Sequence, residues 1–91
     1  MQHDVKLMNY QGTINDLATD IGDLRYDALS DFLNLLSDKI KRDGDKDFER
    51  GRVKLAKQLH ACADDLKQSK AKIDEAWRIS KPFMRKEDRL D

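Results

Sequence analysis

The sequence predicts an all-α fold, an antiparallel hairpin of two long helices that pairs with a second hairpin into a four-helix bundle. Three observations carry this. Apolar residues recur with a 3.6-residue period from Ile14 to Ile40. A second apolar seam steps by four and three residues from Phe48 to Ser80. Between them, residues 41–47 read KRDGDKD, a charged, glycine-containing stretch short enough to make the flanking helices antiparallel neighbours.

The first twelve residues, MQHDVKLMNYQG, lack helical periodicity and read as a flexible arm. Thr13 and Asp16 then resemble a capping box with Asp in place of Glu. The apolar stripe that follows keeps phase across Gly22. It favours one helix over about 13–42, with two helices that bend near Gly22 as the alternative. Gly44 suits the left-handed residue that closes a helix, so the turn is expected over 43–46.

The second helix is expected over about 47–80. Its seam runs through Phe48, Arg52, Leu55, Leu59, Cys62, Leu66, Ser69, Ile73, Ala76 and Ser80, with Ala56, Ala63 and Trp77 in an adjacent row. Polar residues in such a seam set register. An apolar face three positions wide per heptad fits a bundle better than a two-stranded coil. Lys81-Pro82 ends the helix, because a residue before proline avoids the α region. A hairpin domain over 13–81 and a charged tail over 82–91 complete the division. Two stripes this broad leave much of themselves wet in a lone hairpin, which is the reason to expect a homodimer.

Composition bounds the function. The 91 residues make one small domain, 40% charged, with a formal net charge of zero, so no global charge calls for nucleic acid or an anionic membrane. No apolar run is long enough to span a bilayer, and a cytoplasmic protein without membrane contact is expected. The lone Cys62 excludes an internal disulfide and fits a reducing compartment. No zinc framework, phosphate loop, catalytic triad or cofactor motif is present, so neither a metal nor a cofactor is expected. His60 and Asp64 stand four apart without a third ligand, and Cys62 falls in the seam as a small buried residue.

The charge is unevenly placed. Residues 1–45 carry 5 Lys/Arg and 9 Asp, whereas residues 46–91 carry 13 Lys/Arg and 9 acidic residues. Asp16, Asp20, Asp23, Asp27, Asp31 and Asp38 fall on one stripe of the first helix. They read as a solvated face or as a docking face for a protein partner with a basic surface. Trp77, with Phe83 nearby, reads as core or as an interface anchor. Lys46, Arg50, Lys54 and Lys57, with Arg52 beside them, form a basic ridge on the second helix without aromatic stacking residues.

The expected function is that of a non-enzymatic interaction or regulatory protein, an adaptor or inhibitor acting as a dimer. It would bind through Asp16, Asp20, Asp23, Asp27, Asp31, Trp77 and Phe83. The alternatives are a hairpin dimer that binds RNA or DNA through the basic ridge, and a metal-dependent helical hydrolase using Asp20, Asp23 and Asp27.

Overall fold

The computed structural model describes residues 3–83. The expected tail from residue 84 onward, and the first two residues of the arm, lie outside that range.

The capping box forms. Thr13 accepts from the Asp16 backbone N–H at 3.0 Å, and Asp16 accepts from the Thr13 N–H at 3.0 Å. These bonds satisfy two amide groups that the helix itself leaves without partners. The resulting helix α1 is short, Ile14–Gly22. The chain breaks over Asp23, Leu24 and Arg25, and α2 runs Tyr26–Glu49. The favoured single helix over 13–42 is thus overturned, and the alternative, two helices, is the observed one. α1 buries none of its residues, so it is an appendage to the hairpin rather than part of its packed interior.

The expected turn over 43–46 is displaced. α2 continues through Gly44 to Glu49, and the chain reverses over Arg50, Gly51 and Arg52 before α3, Val53–Ser80. Gly51 supplies the left-handed residue, with φ +80. The Gly51 N–H bonds to the Phe48 carbonyl at 3.0 Å and the Arg52 N–H to the Asp47 carbonyl at 2.8 Å. These are the two bonds of a Schellman closure. A side-chain ion pair, Arg52 Nη1 to Asp47 Oδ1 at 3.2 Å, reinforces it. Two favourable i,i+4 pairs, Lys39–Asp43 at 2.6 Å and Lys41–Asp45 at 3.1 Å, carry the helix across the KRDGDKD stretch. At the far end α3 stops at Ser80, as expected, but not for the expected reason: Lys81, before Pro82, keeps helical angles, φ −52 and ψ −45, and one 3₁₀ turn covers Lys81–Phe83.

Gly44 instead serves close packing. It is buried, and a Cβ built on it would stand 2.6 Å from the His60 ring. Ser30, Ser37 and Gly44 recur at seven-residue intervals on the buried edge of α2, and Ala56 and Ala63 do the same on α3. At the middle of the interface the Ser37 hydroxyl donates to the Ala63 carbonyl at 2.7 Å, a side chain reaching the neighbouring backbone directly. The centre of α3 is therefore the small-residue row and not the expected seam. Leu59, Leu66 and Ile73 of that seam are half-buried, whereas Phe48, Leu55, Cys62 and Ser69 are exposed.

Because the two helices meet through small side chains, enlarging one at the centre forces them apart. Ala63→Leu is expected to lower unfolding stability by about 1–3 kcal/mol. Ala61→Leu, at an exposed position of the same helix, is expected to lower it by less than about 0.5 kcal/mol. Urea denaturation of both variants checks this.

Candidate functional site

The small-residue line divides each long helix into two flanks, and the hydrogen bonds show how the flanks pair. On one side of the hairpin the contacts are polar. Ser30 donates to Asp74, which also holds Lys70 at 2.7 Å. Lys67 reaches across to Asn34 and to Asp38, the latter at 2.9 Å. Nearer the turn, His60 Nε2 lies 2.9 Å from Asp45 Oδ1. Asn34, Asp38 and Asp45 share one flank of α2, and His60, Lys67 and Asp74 share one flank of α3.

The helical period places Leu29, Leu33, Leu36 and Ile40 on the opposite flank of α2, and Leu55, Leu59, Cys62, Leu66 and Ile73 on that of α3. In an antiparallel pair these two flanks lie side by side. The hairpin thus has a latched polar side and an apolar side two helices wide. Its apolar side chains are half-buried or exposed. Among the described residues the buried apolar side chains are Ala56 and Ala63 alone.

The expected acidic stripe is not one surface, since the break at 23–25 assigns Asp16 and Asp20 to α1, Asp23 to its C-cap, and Asp27, Asp31 and Asp38 to α2. Several of these carboxylates also have internal partners. Asp16 belongs to the capping box, and its bonds to Thr13 hold its pKa below the ordinary carboxylate value. Asp20 accepts from the Tyr10 hydroxyl. Asp27 takes a two-pronged bond from Arg25, both distances 2.7 Å, which lowers its pKa. Lys67 does the same for Asp38. Among the described residues no group of three His, Cys, Asp or Glu side chains gathers to hold a metal ion, so Asp20, Asp23 and Asp27 do not form the centre that a metal-dependent hydrolase requires. His60 pairs across the interface with Asp45 and not along α3 with Asp64.

Trp77 is half-buried at the end of the hairpin remote from the turn. The Arg25 guanidinium stands 5.2 Å from its ring centroid and the Lys81 ammonium 5.7 Å, both within cation–π range. The indole therefore ties the start of α2 to the end of α3. Phe83, in the 3₁₀ turn, is 86% exposed.

The basic ridge is reorganised by the displaced turn. Lys46 lies on α2, Arg50 and Arg52 in the turn, and Lys54 and Lys57 at the start of α3, so the five cations cap the hairpin tip. Phe48, expected in the seam, emerges there 59% exposed, beside Val53 at 54%. Together with Ala56, Lys57, His60 and Asp64 they line a notch of about 410 Å³.

No helix of the described residues is long and apolar enough to cross a membrane. Compared with protein-family models, with curated proteins and with solved structures, the chain shows no match.

Two titrations follow from the bonds above. The Asp20 carboxylate accepting from Tyr10 pushes the phenol up to about 12. Ultraviolet titration should therefore show one tyrosine ionising late, and Asp20→Asn should return it toward its ordinary value near 10. The folded-state pKa values of Asp38, Asp45 and Asp74 are depressed by Lys67, Lys41 and Lys70 respectively. The unfolded chain binds protons first as pH falls, so this stabilisation is present above about pH 4 and is lost below it. Urea midpoints measured across the acid range should decline there, and the decline should shrink in Lys67→Met.

Proposed function

We propose that the chain is a non-enzymatic interaction protein that works by assembling through the apolar side of its hairpin, and that the first occupant of that side is a second copy. The observation that supports this is the lack of any large buried apolar side chain among the described residues, in a chain whose two long helices both present leucine-rich flanks. Ser37 is the largest side chain that is fully buried. Burying a leucine stabilises a fold by roughly 1.5–3 kcal/mol, and the hairpin alone realises only part of this for each of its leucines. Covering the face with a like face realises the rest and gives a four-helix bundle.

A second copy suits the rim as well as the floor. Lys39 and Asp43 border the apolar flank of α2, and Asp65 and Lys72 that of α3, so each edge carries both signs. A twofold axis can then bring unlike charges together. The zero net charge of the chain sets up no long-range repulsion between copies. The polar side, whose groups already bond to one another, is left facing solvent.

Sedimentation equilibrium is expected to give twice the chain mass at micromolar concentration, and a monomer that unfolds cooperatively would overturn the reading. Leu55→Asp is the discriminating variant, because Leu55 is 47% exposed and contributes little to the isolated hairpin. It should dissociate the dimer while leaving the helical circular dichroism of the dilute protein intact. Cys62 provides an independent readout. Its thiol lies on the apolar flank and should be alkylated about tenfold or more slowly in the dimer than in the Leu55→Asp monomer, following the fraction of open protein.

A further inference from the structure

The cationic tip makes a second surface, independent of how the apolar side is covered. Between Lys46 and Lys57 the chain carries five cations, Lys46, Arg50, Arg52, Lys54 and Lys57, and two carboxylates, Asp47 and Glu49. One of the two, Asp47, is buried and committed to Arg52 at 3.2 Å. The carboxylates that approach the tip along α2 are likewise engaged. Asp43 is held by Lys39 at 2.6 Å, and Asp45 by Lys41 at 3.1 Å and His60 at 2.9 Å. Lys46, Arg50, Lys54 and Lys57 are all exposed, so the tip presents a surplus of positive charge on a chain that is neutral as a whole.

A charge surplus alone fits any polyanion. The notch beside it narrows the choice. Phe48, Val53, Ala56 and Ala61 give its lining an apolar part, and Lys57, His60 and Asp64 a polar one. The notch is an open groove of about 410 Å³, so a planar ring can lie against Phe48 without displacing the chain. Proteins hold single-stranded nucleic acid by pairing an exposed aromatic ring, on which a base stacks, with a cationic surface that neutralises the flanking phosphates, and the tip carries both. The tip of a two-helix hairpin is also narrow, and a flexible single strand can wrap it where a rigid duplex touches it only tangentially.

We propose that the hairpin tip binds a single strand of nucleic acid, with a base stacked on Phe48 in the notch and adjacent phosphates on Lys54, Lys57 and Arg50. Asp64, which also lines the notch, disfavours a phosphate inside it and leaves the notch to the base. The contact is read through stacking and charge, so it discriminates little among base sequences.

The test is fluorescence anisotropy of labelled oligo(dT) and oligo(U) of about 16 nucleotides with the full chain, at salt between about 50 and 200 mM. Binding at low salt that weakens steeply across this range is expected, and the tighter of the two oligonucleotides identifies DNA or RNA as the source. Lys54→Glu and Lys57→Glu should each weaken binding about tenfold and flatten the salt dependence, by about 0.7 in the log–log slope for each phosphate left without its cation. Phe48→Ala should weaken binding about fivefold or more at an unchanged slope, because it removes stacking and no charge. Lys72→Glu, the same charge change on the outer face of α3, should stay within about twofold, since at this ionic strength the Debye length of about 10 Å screens it from the tip. Absence of binding at low salt overturns the proposal. So does equal weakening in Lys54→Glu and Lys72→Glu, which would mark a response to net charge, and so does an unaltered affinity in Phe48→Ala. Phosphatidylserine vesicles that compete off the bound strand and bind as tightly would replace the strand by a lipid surface and overturn it as well. Circular dichroism melts confirm that each variant is folded.

Discussion

The close approach of α2 and α3 along a line of small residues is the constraint from which the rest of the molecule follows. Ser30, Ser37 and Gly44 on one helix and Ala56 and Ala63 on the other have almost no side chain to interpose, so the Ser37 hydroxyl can bond to the opposing backbone. Attraction between non-bonded atoms is short-ranged, and helices packed this way gain contact wherever the small residues let them approach. The same geometry pushes the larger side chains off the centre. They must lie on the flanks, where two helices cannot enclose them. The half-buried leucines and the latched polar row are two results of one packing choice.

Much of this architecture is legible in the sequence, and the parts that are not share a cause. Periodicity locates both long helices, and local chemistry locates the capping box at Thr13 and the stop at Pro82. The turn is misplaced by the same reading. Gly44 and Gly51 each sit among charged residues, and a glycine that enables close approach looks the same in one dimension as a glycine that reverses the chain. The distinguishing signals are present. Lys39–Asp43 and Lys41–Asp45 are spaced to continue a helix through Gly44, and Ser30, Ser37 and Gly44 form a small-residue heptad that matches Ala56 and Ala63. Leucine is the more apolar residue, so the pattern centres α3 on Leu59, Cys62 and Leu66 and leaves Ala56 and Ala63, which lie deepest, to the adjacent row.

The displaced turn has the larger effect on the candidate sites. With the turn at 43–46, Phe48 belongs to the buried seam and the basic residues form a ridge without an aromatic partner. With the turn at 50–52, Phe48 lies in the last turn of α2 and shares a notch with Lys57. A shift of about two helical turns thus changes a solvated ridge into a cationic tip with an exposed ring. The acidic stripe changes in the opposite sense. A single long helix would display Asp16 to Asp38 in one row, but the break after Gly22 separates them, and Thr13, Tyr10, Arg25 and Lys67 engage four of them within the chain.

The opposed charges of the two halves of the chain find their explanation in this arrangement. An acidic first half and a basic second half, folded back on each other, place Asp38 opposite Lys67. Exposed pairs of this kind add little stability individually, but like charges facing each other along two helices would disfavour the hairpin, so the asymmetry selects the antiparallel partner. The acidic charge on α2 lies within reach of the flank of α3, whereas part of the basic charge of the second half falls at the turn, where no opposing helix faces it. Neutrality in the sum therefore coexists with a positive tip. A hairpin organised this way separates its surfaces by chemistry: a neutral apolar side suited to another hairpin, a polar side satisfied within itself, and a cationic end that neither of the other two consumes.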